Sequence, residues 1–213
     1  MANERLVERL VGDLKPVRPR SAGREALFLA LLFALEVALV LLFGQMRPDM
    51  AMAIGAPSFW WKAASLGVIA LVGAAVALIS FDPAASPRRL LRGLAAAVVA
   101  CLIIGWVVNA YGVGCSSIAT RLDWRNGVQC VAKMVVLSVP AIIGLAALMR
   151  RGAPTDTAAT SLGVGIAAAA WGAFVFVLAC PFDDPAYVAV WYSLGCGLVT
   201  VFARLALPRL TRW

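Results

Sequence analysis

Six apolar runs of about twenty residues constrain this chain more than any other feature of its sequence. A helix needs about 20 mostly apolar residues to cross a bilayer core of about 30 Å. Backbone polar groups in lipid must also pair within their own segment, which favours helices. The sequence therefore predicts an all-α membrane protein with a bundle of six transmembrane helices. The runs lie at about residues 25–44, 60–80, 92–111, 130–149, 160–180 and 187–208.

The remaining composition excludes several classes of function. The chain is 62% hydrophobic and 14% charged, with a formal net charge of +8, far from the balance of an ordinary soluble domain. Because the basic residues lie at the ends of the apolar runs, the charge favours membrane topology, and no nucleic-acid partner is expected. Histidine is absent, which removes the commonest general base and metal ligand. Neither an enzyme nor a bound cofactor is expected.

The positions of lysine and arginine predict the orientation of the bundle. Of the 19 such residues, 14 lie in the N-terminal tail, the 81–92 loop, the 150–159 loop and the C-terminal end. By the positive-inside rule, both termini are predicted to be cytoplasmic. The other five basic residues lie on the opposite side and are Arg47, Lys62, Arg121, Arg125 and Lys133.

Aromatic residues support this placement of the outer membrane boundary. Tyrosine and tryptophan prefer the membrane–water interface, where the ring meets apolar lipid and the polar atom meets water. We therefore expect an outer interfacial ring made of Phe59, Trp60, Trp61, Tyr111, Trp124, Tyr187, Trp191 and Tyr192.

The predicted topology places two of the five cysteines within apolar runs and three at the outer side of the membrane. Cys101 and Cys196 lie within runs, where buried cysteine packs as a small hydrophobe, and Cys115 lies in an outer loop. Cys130 opens the fourth run and Cys180 closes the fifth at the same side. Since consecutive antiparallel helices are usually neighbours, these two could approach within the ~7 Å Cα separation of a disulfide. A structural disulfide, a redox- or metal-responsive thiol pair and unremarkable interface residues all remain open, whereas the absence of a C-x-x-C motif argues against a thioredoxin-like enzyme.

Two aspartates follow Cys180 in the stretch “CPFDDPAYVAVWY”. Asp183 and Asp184 could add oxygen ligands beside a Cys180 thiolate for a soft or borderline cation. Without histidine that ligand set is incomplete, so a solvated turn is the favoured interpretation.

An acidic residue lies deep inside the first run. Glu36 stands about twelve residues into it, and a carboxylate within a membrane is costly unless it is paired. Lys62 and Lys133 are its candidate partners. A buried structural pair is favoured over an ion pathway, because a pathway normally needs a relay and only one acidic residue lies well within a span.

The N-terminal tail predicts a short amphipathic helix over about residues 3–14. Leucines recur every fourth residue with valines beside them, and charged residues occupy the other face. Pro16 and Pro19 end the helix before the first span. A helix of about a dozen residues is marginal alone, so it should fold against a protein groove or the inner leaflet. The apolar stripe consists of Leu6, Val7, Leu10, Val11 and Leu14.

Several motifs together resemble one protein family. They are the tail “LVERLVGDLKPVRP” followed by six runs, Cys130, “RRGAP” at 150–154, “CPFDDPAYVAVWY” at 180–192 and the terminal Arg212-Trp213. In this combination the chain resembles, over nearly its whole length, the negative regulator of sigma-F (NrsF) family of bacterial membrane anti-sigma factors. Cys101, Cys115 and Cys196 are not part of the pattern.

The resemblance implies a function. Residues 1–24 would form a cytoplasmic tail that binds an extracytoplasmic-function sigma factor through the stripe, and residues 25–213 a six-helix transmembrane sensor. Cys130 and Cys180 match two periplasmic-side cysteines associated in that family with heavy-metal or oxidative stress, which makes a soft metal ion at the outer face a further expected ligand. The alternative is a small transporter or permease-like bundle that uses Glu36, with structural cysteines.

Overall fold

The computed structural model describes residues 20–43, 46–112 and 121–211. These ranges contain seven helices and no strand, and all helices except the short α2 are long and apolar enough to cross a membrane. The predicted all-helical chain with six spans is therefore confirmed. The helices are α1 (Ala22–Leu42), α2 (Met50–Ala53), α3 (Pro57–Ser80), α4 (Pro87–Gly112), α5 (Trp124–Arg151), α6 (Thr157–Val177) and α7 (Pro185–Leu210).

Some predicted features lie outside the described residues. These are the amphipathic helix over residues 3–14, with its stripe of leucines and valines, and Cys115. The cytoplasmic placement of both termini and the division into residues 1–24 and 25–213 remain predictions.

The spans begin two to six residues before the apolar runs because helix-starting residues precede the apolar pattern. Three spans, α3, α4 and α7, start at a proline, which suits the first helical position because no intrahelical N–H is needed there. Asp156 accepts a hydrogen bond from the Ala159 backbone N–H at 2.9 Å and so caps α6. Asp184 caps α7 by accepting from the N–H groups of Ala186 and Tyr187, at 2.8 and 3.1 Å.

Antiparallel alternation of the spans gives the bundle two ends. At the tail end, the Arg20 guanidinium lies 5.4 Å from the centre of the Phe81 ring, and the Phe81 carbonyl accepts from the Ala153 N–H at 3.1 Å. At the opposite end, called the cysteine end below, lie Cys130, Cys180 and the segment that follows α1. One end thus carries the start of α1, and the other carries the thiols.

Helix α6 is the centre of the bundle, and α1 lies at its periphery. In α6, 83% of the apolar stretch is buried, against 17% in α1. The small residues of α6 permit this central position. A Cβ on Gly172 would lie 2.5 Å from the Ser138 backbone nitrogen of α5, and one on Gly165 would lie 2.9 Å from the Thr200 Cα of α7. Both glycines are therefore positions where neighbouring helices pack closely against α6.

We predict that Gly172→Ala destabilises the bundle by about 1–3 kcal/mol, because the new methyl group meets backbone atoms of α5 that cannot rotate away. Gly197→Ala is the matched control, since a Cβ on Gly197 meets nothing within 4 Å. That variant should keep or slightly raise the stability, as alanine does in helices. Unfolding of both variants in mixed micelles with rising dodecyl sulfate measures the difference. Equal stabilities of the two variants would contradict the packing argument.

Candidate functional site

The structure brings the two predicted sensor cysteines together at the cysteine end. Cys130 lies in the second turn of α5, and Cys180 lies three residues after α6 ends. Their sulfur atoms are 3.9 Å apart, and both residues are buried. A disulfide bond is about 2.05 Å long, so the two residues are adjacent thiols rather than a bridge. They meet because α5 and α6 are antiparallel neighbours joined by a short loop.

Aromatic side chains surround the thiols. The Tyr187 hydroxyl lies 3.1 Å from the Cys130 sulfur, and the Tyr187 ring stacks on Phe182 with their centres 4.8 Å apart. Trp191 donates from its indole N–H to the Leu122 carbonyl at 2.6 Å. The thiols are therefore enclosed by rings rather than open to the aqueous phase.

This arrangement corrects the prediction of an outer aromatic ring. Tyr187, Trp191 and Tyr192 are almost completely buried, because they share the face of α7 that packs against α5 and α6. Trp60 and Trp124 are exposed as expected. The spacing of the buried residues along α7 follows the helical repeat, and this signal could have identified the inward face.

A cluster of four charges holds the segment that carries Cys180. Asp183 is central to it: one carboxylate oxygen lies 2.5 Å from the Lys62 ammonium and the other 2.6 Å from an Arg47 guanidinium nitrogen. Arg47 also donates to both oxygens of Asp49, at 2.8 and 2.7 Å. Below, the name Asp183 cluster denotes Arg47, Asp49, Lys62 and Asp183. The expectation of a solvated turn is wrong for Asp183, whose side chain is only 13% exposed.

Lys62 also binds the main chain beside the thiol. Its buried ammonium donates to the Cys180 carbonyl at 3.3 Å and to the Phe182 carbonyl at 3.1 Å. Arg47 adds a bond from its side chain to the Pro181 carbonyl at 3.2 Å and one from its backbone N–H to the Leu178 carbonyl at 2.9 Å. The two cations thus fix the main chain on both sides of Cys180.

The second aspartate has a separate partner. Arg121 donates to both carboxylate oxygens of Asp184 at 2.8 Å, and to the Asn109 side-chain oxygen at 2.6 Å. Burial raises the pKa of Asp184, but the hydrogen bonds from Arg121 and from two backbone N–H groups outweigh it, so this pKa lies below its usual range. Asp184 is therefore a charged helix cap as well as the ion-pair partner of Arg121.

The contacts within the Asp183 cluster stabilise its charged forms. Hydrogen bonds from Arg47 lower the pKa of Asp49 to about 2, against the opposing effect of desolvation. The hydrogen bonds to Asp49 and Asp183 raise the pKa of Arg47 above its usual value, although desolvation opposes them. Arg47 and Asp49 consequently remain charged at any physiological pH.

The surroundings of Cys180 favour its thiolate. A hydrogen bond from the Cys130 thiol is the largest effect and lowers the pKa of Cys180, burial opposes it, and the positive charge of Lys62 lowers it further. The thiolate is the form that attacks oxidants and binds metal ions. Cys180 is thus the member of the pair whose thiolate is favoured.

A metal ion would find two sulfur ligands here and few others. Among the described residues, no group of three or more histidine, cysteine or acidic side chains is placed to hold a metal ion. Asp183 is turned towards Lys62 and Arg47, so it does not complete a site with Cys180. The pair suits only a soft ion that accepts two thiolates.

Glu36 has a different partner from the predicted lysines. The Trp171 indole N–H of α6 donates to one Glu36 oxygen at 2.7 Å, and within the described ranges the other oxygen has no hydrogen-bond partner. Lys62 pairs with Asp183 instead, and Lys133 is exposed. The contact therefore joins α1 to the central helix.

Sequence reasoning missed Arg47, Lys62 and Arg121 as residues of the site. A usable signal was the charge on the predicted outer side of the membrane. The five basic residues there lie on the same side as several loop aspartates, which makes ion pairs between them expected. Cys101 and Cys196 are half-buried on α4 and α7, and Cys196 packs against the apolar cluster that contains the pair.

Comparison with known proteins adds independent evidence. The sequence model of the family described as negative regulator of sigma F matches residues 10–213. The chain is 31% identical to the anti-sigma-F factor NrsF of Caulobacter vibrioides (strain NA1000 / CB15N) and 26% identical to the probable anti-sigma-F factor NrsF of Azospira oryzae (strain ATCC BAA-33 / DSM 13638 / PS), each over the full length of both proteins. No solved structure matches the chain.

We predict that Cys180 is alkylated at lower pH than an ordinary thiol, whose pKa is about 8.5. Because a lowered pKa shifts the thiolate to lower pH, the rate of alkylation by iodoacetamide should rise and level off before that value. The measurement is the mass-spectrometric pH profile of a variant that retains only Cys130 and Cys180. Cys130→Ala removes the largest stabilising contact and should move the profile to higher pH. Identical profiles with and without Cys130 would contradict this account.

Proposed function

Because the chain belongs to the NrsF family of negative regulators of sigma F, we propose that it is a membrane anti-sigma factor with a thiol sensor. Its N-terminal tail holds an extracytoplasmic-function sigma factor at the inner face of the bacterial inner membrane. A chemical change at Cys130 and Cys180 on the periplasmic side then releases it. The observation that carries the sensor assignment is the 3.9 Å approach of two buried thiols within a regulatory membrane protein.

Two chemical changes fit the pair. In oxidation, both S–H bonds break, one S–S bond forms, and two electrons and two protons pass to the oxidant. This shortens the sulfur separation from 3.9 Å to about 2.05 Å. In metal binding, a soft cation displaces two protons and is held by two thiolates. Either change alters the fit between α5 and the segment after α6, and the favoured thiolate of Cys180 assists both.

The tail is proposed as the sigma-binding element because of its apolar stripe. Leucines at i, i+4 spacing are typical of a helix that lies in a hydrophobic groove of a partner. A helix of this length is marginal in isolation, so partner binding and helix formation would occur together. Pro16 and Pro19 separate this element from α1 by a short stiff segment. The stripe is Leu6, Val7, Leu10, Val11 and Leu14.

The contacts of Glu36 do not favour the alternative of a transporter. Its carboxylate is hydrogen-bonded to Trp171, and Glu36 is the only buried acidic side chain in the described spans. Ion or proton pathways use chains of such groups. The contact is better explained as a link between helices.

We predict that polar substitution of Leu6, Leu10 and Leu14 together abolishes sigma binding, because it removes the apolar anchor of the tail. The variant should still insert in the membrane, since all six spans are unchanged. Affinity purification from the native host in detergent, with mass spectrometry of the co-purifying proteins, measures the binding. Substitution of charged residues on the other face, Glu4 and Glu8 to glutamine, is the matched control and should retain the partner. Retention of the sigma factor by the leucine variant would refute the role of the tail.

We predict that Cys130→Ser together with Cys180→Ser alters transcription induced by cadmium or by a thiol oxidant, because neither a disulfide nor a dithiolate complex can form. A sigma-dependent reporter gene in the native host measures the response. The variant with Cys101→Ser and Cys196→Ser is the control and should respond as the wild type does. A normal response from the Cys130/Cys180 variant would remove the sensor function and leave the tail assignment unaffected.

A further inference from the structure

The Asp183 cluster joins three parts of the chain that are distant in sequence. Asp183 lies three residues after Cys180, in the loop between α6 and α7. Lys62 belongs to α3, and Arg47 lies five residues after the end of α1. Both cations contact the Asp183 carboxylate, at 2.5 and 2.6 Å. The loop that carries the reactive thiol is therefore tied to the chain leaving the first span.

Helix α1 has few other attachments. Its buried residues are only Leu29, Glu36 and Val40. Its one described polar contact to another span is the hydrogen bond between Glu36 and Trp171. A peripheral helix with so few contacts has low local stability and moves more easily than the central α6. Residues 1–19, which carry the apolar stripe, precede α1 in the sequence.

We infer that Asp183, held by Lys62 and Arg47, couples the state of the Cys130–Cys180 pair to the position of α1. Arg47 and Lys62 are thus positioning residues of the sensor. The inference rests on the proposed function only for its last step, in which α1 affects the tail.

The coupling follows from the contacts of the Cys180 main chain. Closing the sulfur gap from 3.9 Å to about 2.05 Å displaces Cys180, whose carbonyl oxygen accepts from the Lys62 ammonium. The same ammonium holds Asp183, and Asp183 holds Arg47. Arg47 has a second bond to this loop through its backbone N–H and the Leu178 carbonyl. The cluster would therefore have one arrangement when the thiols are reduced and another when they form the disulfide. The two arrangements would place the end of α1 differently.

Fluorine NMR can detect this coupling without a sigma factor. The full-length protein is labelled with 5-fluorotryptophan in nanodiscs, and Trp171→Phe assigns the resonance of Trp171, whose indole bonds to Glu36 of α1. All variants carry Cys101→Ser, Cys115→Ser and Cys196→Ser. Diamide accepts two electrons and two protons from the pair to form the disulfide, and mass spectrometry confirms it. In the protein with an intact cluster, oxidation should shift the Trp171 resonance.

Two variants break the coupling in different ways. Arg47→Gln removes the ion pair with Asp183. Insertion of the flexible sequence Gly-Ser-Gly-Ser between Gly44 and Gln45 changes no residue of the cluster and lengthens the chain between α1 and Arg47. The insertion variant should form the disulfide within twofold of the unaltered rate, and both variants, once oxidised, should show less than one third of the Trp171 shift. Arg47→Lys keeps the charge and should retain more of the shift than Arg47→Gln.

The control is Arg88→Gln at the tail end. Arg88 is largely exposed, and its nitrogen lies 3.6 Å from Asp156, so its removal should leave the Trp171 shift intact. A full shift in the insertion variant, or no shift in the protein with an intact cluster, would overturn the inference. So would failure of Arg47→Gln to form the disulfide while the insertion variant shows the full shift.

A second readout separates this inference from the proposed function. The sigma factor that co-purifies with the unaltered protein is titrated onto reduced and oxidised samples. A Trp171 shift without loss of sigma binding would refute the thiol-controlled release and uphold the coupling. If oxidation releases as much sigma factor from the insertion variant as from the unaltered protein, thiol-controlled release is supported and the coupling through α1 is refuted.

Discussion

The buried ammonium of Lys62 is the interaction on which the cysteine end of the bundle depends. A lysine side chain without solvent contact is tolerated only when its charge and its donors are satisfied. Lys62 has two hydrogen-bond acceptors, the Cys180 and Phe182 carbonyls, and an ion-pair partner, Asp183, at 2.5 Å. All three belong to one short loop. The loop that presents Cys180 is therefore shaped by the need to satisfy a cation, and the thiol takes its position from that loop.

Most of the fold could be predicted because lipid leaves a chain few alternatives. Runs of about 20 apolar residues identify helices of the right length, and the structure differs mainly at their starts. There the caps and prolines, such as Asp184 and Pro185, extend each helix beyond its apolar run. The proximity of Cys130 and Cys180 also followed from topology, since neighbouring antiparallel helices bring the ends of successive spans together. What the sequence does not specify is how each helix rotates about its own axis.

The predictions about the site were wrong where they depended on the rotation of a helix about its axis or on the depth of a residue along it. Glu36 lies six residues before the end of α1, about 9 Å deeper than the helix end at 1.5 Å per residue. Lys62 lies near the beginning of α3. It therefore contacts Asp183 in the loop rather than Glu36, which lies deeper in the bundle. A count of helical rise would have favoured Asp183 as its partner. Tyr187 and Trp191 were misplaced because hydropathy does not distinguish lipid from protein as the apolar neighbour.

The small residues of α6 divide the bundle into a close-packed part and a part with fewer contacts. Gly165 and Gly172 let α5 and α7 approach α6 so closely that added atoms would overlap. These helices form a close-packed unit that holds Cys130 and Tyr187 in register. Helix α1 contributes little to that unit and keeps most of its surface for lipid. A small displacement at the thiols therefore meets less resistance along α1 than within this unit, because the packed helices cannot yield without losing contacts on several sides at once.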